Sequence, residues 1–127
     1  MAVNQKKNTN ICVKELGLVR YETSLRAMQE FTSRRDYETP DELWVLEHPS
    51  TYTLGQSGRS ENLLKEEKLK IPIVKSDRGG QITYHGPGQL IIYTLLDLRR
   101  RTGSVRTLVR NLEQAMIQVL DRYDVKA

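Results

Sequence analysis

The stretch that decides the fold of this chain is Arg78-Gly-Gly-Gln-Ile-Thr-Tyr-His-Gly-Pro-Gly-Gln89, which contains four of its eight glycines. A strand-length segment, Gln81–Tyr84, lies between two glycine turns, and the period of two in a strand places Gln81, Thr83 and His85 on one face. Alone, the stretch is either a β-hairpin with glycine turns or a site where missing Cβ atoms let a substrate approach the backbone. Its glycine spacing matches neither the phosphate-binding P-loop nor the dinucleotide-binding pattern.

The composition around this stretch indicates one globular domain. The 127 residues are 38% hydrophobic and 28% charged, which is too apolar for a disordered tail. The longest apolar run, Leu90–Leu96, is much shorter than the roughly 20 residues that span a bilayer, and the N-terminus lacks the pattern of a signal peptide. One cysteine permits no internal disulfide, and the two histidines lack the spacing of zinc ligands. We therefore expect a cytoplasmic protein without a metal or other cofactor.

Hydrophobic periodicity predicts a mixed sheet with packed amphipathic helices, which is an α/β or α+β fold. The final helix has the clearest pattern, because apolar residues recur at steps of three and four from Val105 to Tyr123, and Ser104 stands at its N-cap. Another helix is predicted over Tyr21–Arg34, and the charged segment Glu61–Lys70 predicts a loop or short helix. The predicted strands are Ile11–Leu16, Glu42–Glu47, Tyr52–Leu54, Ile71–Val74, Gln81–Tyr84 and Gln89–Asp97.

A second cluster, Glu47-His-Pro-Ser-Thr-Tyr-Thr-Leu-Gly55, follows a predicted strand. Alone it indicates a turn, in which a histidine such as His48 more often stabilises the loop than catalyses a reaction. Together and in this order, the two clusters resemble the lipoyl(octanoyl) transferase family, the enzymes that move an octanoyl group from acyl carrier protein to a lysine of a lipoyl domain. The twelve consecutive positions from Arg78 to Gln89 are the most specific part of this resemblance.

The resemblance implies that residues 1–127 form one domain with the biotin and lipoate protein ligase-like fold. It also implies that the octanoyl thioester, or the transferred chain, contacts the stretch from arginine to histidine. The implied contact residues are Arg78, Gly79, Gly80, Gln81, Ile82, Thr83, Tyr84 and His85, with His48, Tyr52 and Gly55 as secondary candidates. An acyl tail needs an apolar slot, which Ile82, Tyr84 and bare glycine backbone can wall. We expect His85 or backbone N–H groups to stabilise an oxyanion.

The resemblance further implies covalent catalysis, in which a cysteine takes the octanoyl group as a thioester and a nearby lysine lowers the pKa of its thiol. In that family both residues follow the glycine-rich stretch and the next helix, whereas this chain ends at Ala127. Cys12 precedes every motif on a predicted strand, so we expect it to be buried and structural. Lys126 lacks the context of the family's lysine. We therefore expect a C-terminally truncated domain without a catalytic residue, which forms no acyl-enzyme alone.

The resemblance implies two classes of protein partner and neither nucleic acid nor membrane. The donor is octanoyl-acyl carrier protein, and the acceptors are the lipoyl domains of 2-oxoacid dehydrogenases and the glycine cleavage H protein. Two alternatives stay open. One is an ATP-dependent lipoate or biotin ligase, whose glycine motif differs from Tyr84–Gly88 here. The other is a non-catalytic fragment that binds an acyl group or a carrier protein.

The charge of the chain is uneven along its length. The formal net charge is +4, and the whole surplus follows Asp97, where seven basic residues face three acidic ones. Arg99–Arg101 could meet phosphates, but no nucleic-acid recognition motif accompanies this run, and we expect it to form a solvated loop and helix start. Because acyl carrier proteins and lipoyl domains are typically acidic, this basic end could instead steer a protein partner.

Overall fold

The computed structural model describes residues 9–58, 70–101 and 103–127, which form six strands, two α-helices and one short 3₁₀ helix. The mixed α/β class predicted from the sequence is confirmed. Apart from Lys70, the predicted loop or helix at Glu61–Lys70 lies outside the described residues. The elements in chain order are β1 Ile11–Leu18, α1 Tyr21–Arg34, β2 Asp41–Glu47, β3 Thr51–Leu54, β4 Ile73–Lys75, β5 Ile82–His85, β6 Ile91–Leu95, the 3₁₀ helix Leu98–Arg100 and α2 Val105–Asp121.

The strands form two mixed sheets of three strands each, in the orders β1-β2-β6 and β4-β3-β5. In each sheet the central strand pairs in parallel with one neighbour and antiparallel with the other. Within the described residues, the chain passes between the sheets at the turn from β2 to β3 and again at the turn from β5 to β6. His48 follows β2 and His85 ends β5, and their ring centroids lie 5.9 Å apart. The two crossings are therefore neighbours in space.

Helix α1 has the bounds predicted from its periodicity, and it packs on the first sheet. The rings of Phe31 on α1 and Trp44 on β2 lie 6.2 Å apart in an edge-to-face arrangement. Burial alternates along β2, where Trp44 and Leu46 belong to the core. Strand β6 is shorter than predicted, because Asp97 caps the following 3₁₀ helix by accepting a hydrogen bond from the backbone N–H of Arg99.

A cluster of charged side chains joins the end of α1, the start of β2 and the end of β6. Asp41 is fully buried and accepts hydrogen bonds from Arg35 at 2.5 Å, from Arg101 at 2.6 Å and from the backbone N–H of Asp97 at 2.9 Å. Burial opposes ionisation of Asp41, but the Asp97 N–H and the two guanidinium groups outweigh it and lower the pKa of its carboxyl. The side chain of Arg100 is 1% exposed and donates to two backbone carbonyls.

These contacts correct the prediction that Arg99–Arg101 is a solvated run. Arg100 is buried, and Arg101 donates to Asp41, because the buried carboxylates at the sheet end need cationic partners. Arg99 remains 73% exposed and pairs with Asp97, whose pKa this hydrogen-bonded pairing lowers. We refer to Arg35, Asp41, Asp97, Arg100 and Arg101 as the Asp41 cluster.

The first strand and the last helix are exposed. All eight residues of β1 are exposed, because β1 is the edge strand and no described residues cover its faces. The expectation of a buried Cys12 is therefore wrong, since this residue lies on β1. Helix α2 begins as predicted, with Ser104 accepting a hydrogen bond from the Thr107 N–H, but none of its residues is buried. No helix in the described ranges is long and apolar enough to cross a membrane.

Candidate functional site

A cavity of about 450 Å³ lies between α1, the turn after β4 and the start of β6. Its volume is within the range of small-molecule sites, about 300–1,000 Å³. Helix α1 contributes Tyr21, Leu25 and Met28, whose spacing of four and three residues places them on one helix face. The other lining residues are Ser76, Asp77, Arg78, His85, Gln89, Leu90, Ile91 and Tyr93. The cavity thus combines aliphatic side chains with a histidine and an arginine.

Arg78 folds back into its own turn and binds β3. Its Nε and Nη2 donate to the hydroxyl oxygen of Thr53 at 3.1 and 2.8 Å, and Nη2 also donates to the Thr53 carbonyl at 2.7 Å. Nη1 donates to the carbonyl of Gly79 at 2.8 Å. The turn can lie directly against the end of β3 because Gly55 has no side chain, and an added Cβ there would stand 2.2 Å from the Gly80 carbonyl oxygen. Arg78 and Gly55 therefore fix the glycine turn in place.

His85 stands at the polar side of this cavity with hydrogen-bond partners for both ring nitrogens. Its Nε2 is 3.3 Å from the Thr53 hydroxyl, and its Nδ1 is 3.1 Å from Oε1 of Gln89. The ring stacks on Tyr21, with centroids 5.6 Å apart and planes 11° from parallel. The imidazole is thus oriented by three elements, β3, α1 and the turn from β5 to β6.

His48 lies behind the cavity and is fully buried. Its Nδ1 donates to the Val19 carbonyl at 2.5 Å, and its Nε2 is 2.8 Å from the Tyr93 hydroxyl. Burial lowers the pKa of His48, with a smaller contribution from His85, although the bond to Val19 opposes the shift. Burial raises the pKa of Tyr93 to about 12. The pair is therefore a neutral imidazole that accepts a hydrogen bond from a protonated phenol.

The remaining residues of the predicted site lie elsewhere in the fold. Of the eight primary candidates, the cavity lining contains Arg78 and His85. Tyr84 lies on the opposite face of β5 from His85, where its ring is 5.4 Å from that of Tyr52 and its hydroxyl is 2.9 Å from Ser50 Oγ. Acyl contact by the other primary candidates, including Ile82 and the two glycines of the turn, stays a prediction.

Sequence reasoning missed the aliphatic and tyrosine part of the lining. Leu25 and Met28 fall within the predicted helix Tyr21–Arg34, but periodicity does not say what a helix face covers. Tyr93 is the one aromatic residue in the apolar run before Asp97, and this placement was the available signal. Within the described residues, no three histidine, cysteine or acidic side chains are grouped to hold a metal ion. Cys12, on β1, is not among the lining residues.

The fold and cavity define a small α/β domain with a partly apolar ligand site. Residues 20–127 match the family described as Lipoyl protein ligase A/B catalytic domain, and the chain belongs to that family. It is 57% identical over 115 residues to an octanoyltransferase of Laribacter hongkongensis, covering 91% of this chain and 55% of the relative. It is 51% identical over 125 residues to an octanoyltransferase of Thiobacillus denitrificans, covering 98% and 56%. These matches confirm the resemblance carried by residues 78–89.

Each alignment covers most of this chain but only about half of the relative. The octanoyltransferase of Dechloromonas aromatica, 54% identical over 115 residues, is covered to 55% of its length, whereas 91% of this chain is aligned. The chain thus spans about half the length of the curated relatives it matches.

Proposed function

We propose that this chain supplies the acyl-binding part of an octanoyltransferase, which moves an octanoyl group from octanoyl-acyl carrier protein to a lysine of a lipoyl domain. The observation that carries the proposal is the cavity that joins Leu25 and Met28 of α1 to His85 of the glycine-rich stretch. Burial of an aliphatic chain lowers its free energy by about 0.8 kcal/mol per methylene removed from water, so these side chains favour an alkyl ligand. Similarity to proteins named octanoyltransferase supports the same substrate.

The proposed reaction has two steps, and this chain acts in binding and orientation. A thiolate attacks the thioester carbonyl and the carrier thiol leaves. A lysine amine then attacks the carbonyl of the acyl-enzyme, the C–S bond breaks to form an amide, and the released enzyme thiolate takes the proton that the amine loses. Both steps conserve the acyl group and need no cofactor. We place the alkyl chain along α1 and the carbonyl beside His85 and Arg78. The proposed setting is the cytoplasm, with lipoyl domains of 2-oxoacid dehydrogenases and the glycine cleavage H protein as acceptors.

Binding of S-octanoyl-pantetheine to the 127-residue chain tests the proposal by calorimetry. Leu25→Asp places a carboxylate in the cavity, and we expect it to weaken binding at least tenfold, because an ion beside an alkyl chain loses hydration. Gln29→Asp is the matched control, since it adds the same charge on the exposed side of α1. Absence of binding to the unaltered chain, or equal losses in both variants, would overturn the proposal. Pyrophosphate release that depends on octanoic acid and ATP would favour the ligase alternative instead.

The proposal assigns no nucleophile to the cavity residues, so the chain alone should form no acyl-enzyme. Cys12 is the chain's one thiol and lies on exposed β1. Incubation with octanoyl-acyl carrier protein should therefore leave the intact mass of the chain unchanged. An octanoyl adduct that hydroxylamine removes and that maps to Cys12 would contradict this expectation. Cys12→Ser serves as the matched control for any adduct.

A further inference from the structure

Thr53 connects the guanidinium of Arg78 to the imidazole of His85 through a single oxygen atom. Thr53 is fully buried on β3, and its register partner across the strand pair is Thr83. A hydroxyl has one proton to donate and two lone pairs that accept. Arg78 donates to Oγ1 from both Nε and Nη2, so both lone pairs are occupied. The hydroxyl proton is therefore directed to Nε2 of His85, at 3.3 Å.

The other side of the imidazole leads to the same assignment. Nδ1 of His85 lies 3.1 Å from Oε1 of Gln89. The amide of Gln89 is oriented by its Nε2, which donates to the backbone carbonyl of Tyr84 at 3.3 Å. The amide oxygen can only accept, so Nδ1 carries the imidazole proton. Two independent partners, one on β3 and one in the turn from β5 to β6, thus favour the same tautomer.

We propose that Thr53 and Arg78 are positioning residues that hold His85 as the Nδ1–H tautomer, with its flat face against Tyr21. Both ring nitrogens of His85 are then committed to the protein, and the imidazole presents the cavity with carbon atoms and a π face. For the function proposed above, on which this role rests, His85 is an oriented wall for the acyl group rather than the donor to its oxyanion. This replaces the imidazole version of the expectation drawn from the sequence and leaves backbone N–H groups as the donors.

Imidazole ¹⁵N spectra of the ligand-free 127-residue chain test the tautomer directly. The chain has two histidines, so the spectrum contains two rings, and His85→Gln assigns them. At pH 8 we expect Nδ1 of His85 to carry the ring proton and Nε2 to show the shift of an acceptor nitrogen. His48, which donates from Nδ1 to Val19, is the internal reference. A wild-type His85 protonated at Nε2 would overturn the proposal.

The variants separate positioning from a merely structural role. Thr53→Val removes the hydroxyl at similar volume and leaves Gln89 to favour Nδ1–H. We therefore expect a measurable rise in the Nε2–H population of His85, while the signals of His48 stay in place. Thr53→Ser should restore the wild-type pattern. Thr23→Val is the matched control, because it makes the same change at an exposed position of α1 outside the candidate site. Unchanged His85 signals in folded Thr53→Val would refute the role of Thr53.

The ligand measurement distinguishes failure of this inference from failure of the proposed function. We expect Thr53→Val to bind S-octanoyl-pantetheine several-fold more weakly than the unaltered chain, and Thr23→Val to bind it equally well. If the unaltered chain binds but the tautomer is insensitive to Thr53, the positioning role is wrong and the proposed function stands. If the tautomer responds as expected but no variant or wild type binds, the proposed function is wrong and the assignment of the tautomer stands.

Discussion

At the scale of single residues, His48 and His85 differ in their surroundings although their rings are 5.9 Å apart. His48 is fully buried, and it is held by the Val19 carbonyl and the Tyr93 hydroxyl. His85 is half-buried and borders the cavity. The buried ring of His48 cannot gain a proton without losing its bond from Tyr93. The structure therefore places one histidine in the core and the other at the lining of the cavity.

The lowered pKa of His48 makes the stability of the fold depend on pH. Because the unfolded chain binds a proton at this residue near pH 6.5 and the folded chain does not, the free energy of unfolding should fall as the pH drops below about 6.5. The slope contributed by one proton is at most about 1.4 kcal/mol per pH unit. Urea unfolding at pH 7.5, 6.0 and 5.0 measures it. His48→Gln should flatten the dependence in this window, and an equally steep profile in that variant would contradict the assignment.

At Gly55 the absence of a side chain lets two backbone segments approach each other closely. We expect Gly55→Ala to lower the free energy of unfolding by about 1–3 kcal/mol, because its Cβ would stand 2.2 Å from the Gly80 carbonyl oxygen and the turn would have to shift. Gly79→Ala is the matched control, since a Cβ there meets no atom within 4 Å. Chemical denaturation of both variants checks the prediction. Equal stability of the two would show that the turn yields freely.

At the scale of elements, α1 forms one wall of the cavity. Tyr21 and Met28 are seven residues apart, and a rise of 1.5 Å per residue places them about 10 Å apart along the helix axis. Tyr21 stacks on His85, so Met28 marks the far end of the lining on this helix. An extended eight-carbon chain has a comparable length. If the proposed function is correct, the distance along α1 would limit the length of the acyl group.

Changing Met28 should change the preferred acyl length. Met28→Ala opens the far end, and we expect it to favour decanoyl over octanoyl pantetheine relative to the unaltered chain, by up to about fourfold per added methylene at ~0.8 kcal/mol each. Met28→Phe should shift the preference toward hexanoyl. Calorimetric titration with the acyl series measures both shifts, and Gln29→Ala on the exposed side of α1 is the control. An unchanged ranking in both variants would remove Met28 from the acyl site.

The elements show which features sequence patterns determine. The bounds of α1 and the N-cap Ser104 follow from local spacing and local hydrogen bonds, and both were predicted. Strand ends shifted by up to two residues, and after β6 the backbone N–H of Asp97 donates to Asp41, a partner 56 positions away that no local pattern reveals. Hydrophobic periodicity identified the apolar face of α2 but could not say whether another element covers it. Division of the strands into two sheets depends on long-range pairing, which no local pattern encodes.

At the scale of the whole molecule, the Asp41 cluster binds segments that are distant in sequence. Asp41 and Arg101 are separated by 60 positions, and Arg35 and the Leu95 carbonyl by the same number. The sequence showed the arginine run and its charge, but burial of Arg100 could be learned only from the path of the chain. The same limit applied to the cavity, where α1 meets the glycine-rich stretch. Sequence motifs predicted the polar lining residues of the candidate site, Arg78 and His85, but not its aliphatic residues.

Loss of the Asp41 carboxylate should weaken the whole fold. Asp41→Asn keeps the shape but leaves the buried guanidinium groups without their anion, and we expect it to lower the free energy of unfolding by about 3–5 kcal/mol at pH 7. Urea denaturation followed at Trp44 measures the change, because Trp44 lies on the same strand. Glu22→Gln, which removes an exposed carboxylate from α1, is the control. A loss below about 1 kcal/mol would show that the cluster is peripheral to stability.

The two neighbouring crossings between the sheets have a mechanical consequence. Each crossing carries one of the histidines, and the cavity lies beside them. The connection between the two sheets and the candidate ligand site are therefore in the same part of the molecule. A bound acyl chain would restrict motion of the two sheets relative to each other. The exchange rates of backbone amides in β3 and β6, which belong to different sheets, should therefore fall together as the ligand is added, in proportion to occupancy. Ligand binding in a small cavity would then be detectable as slower amide exchange in both sheets.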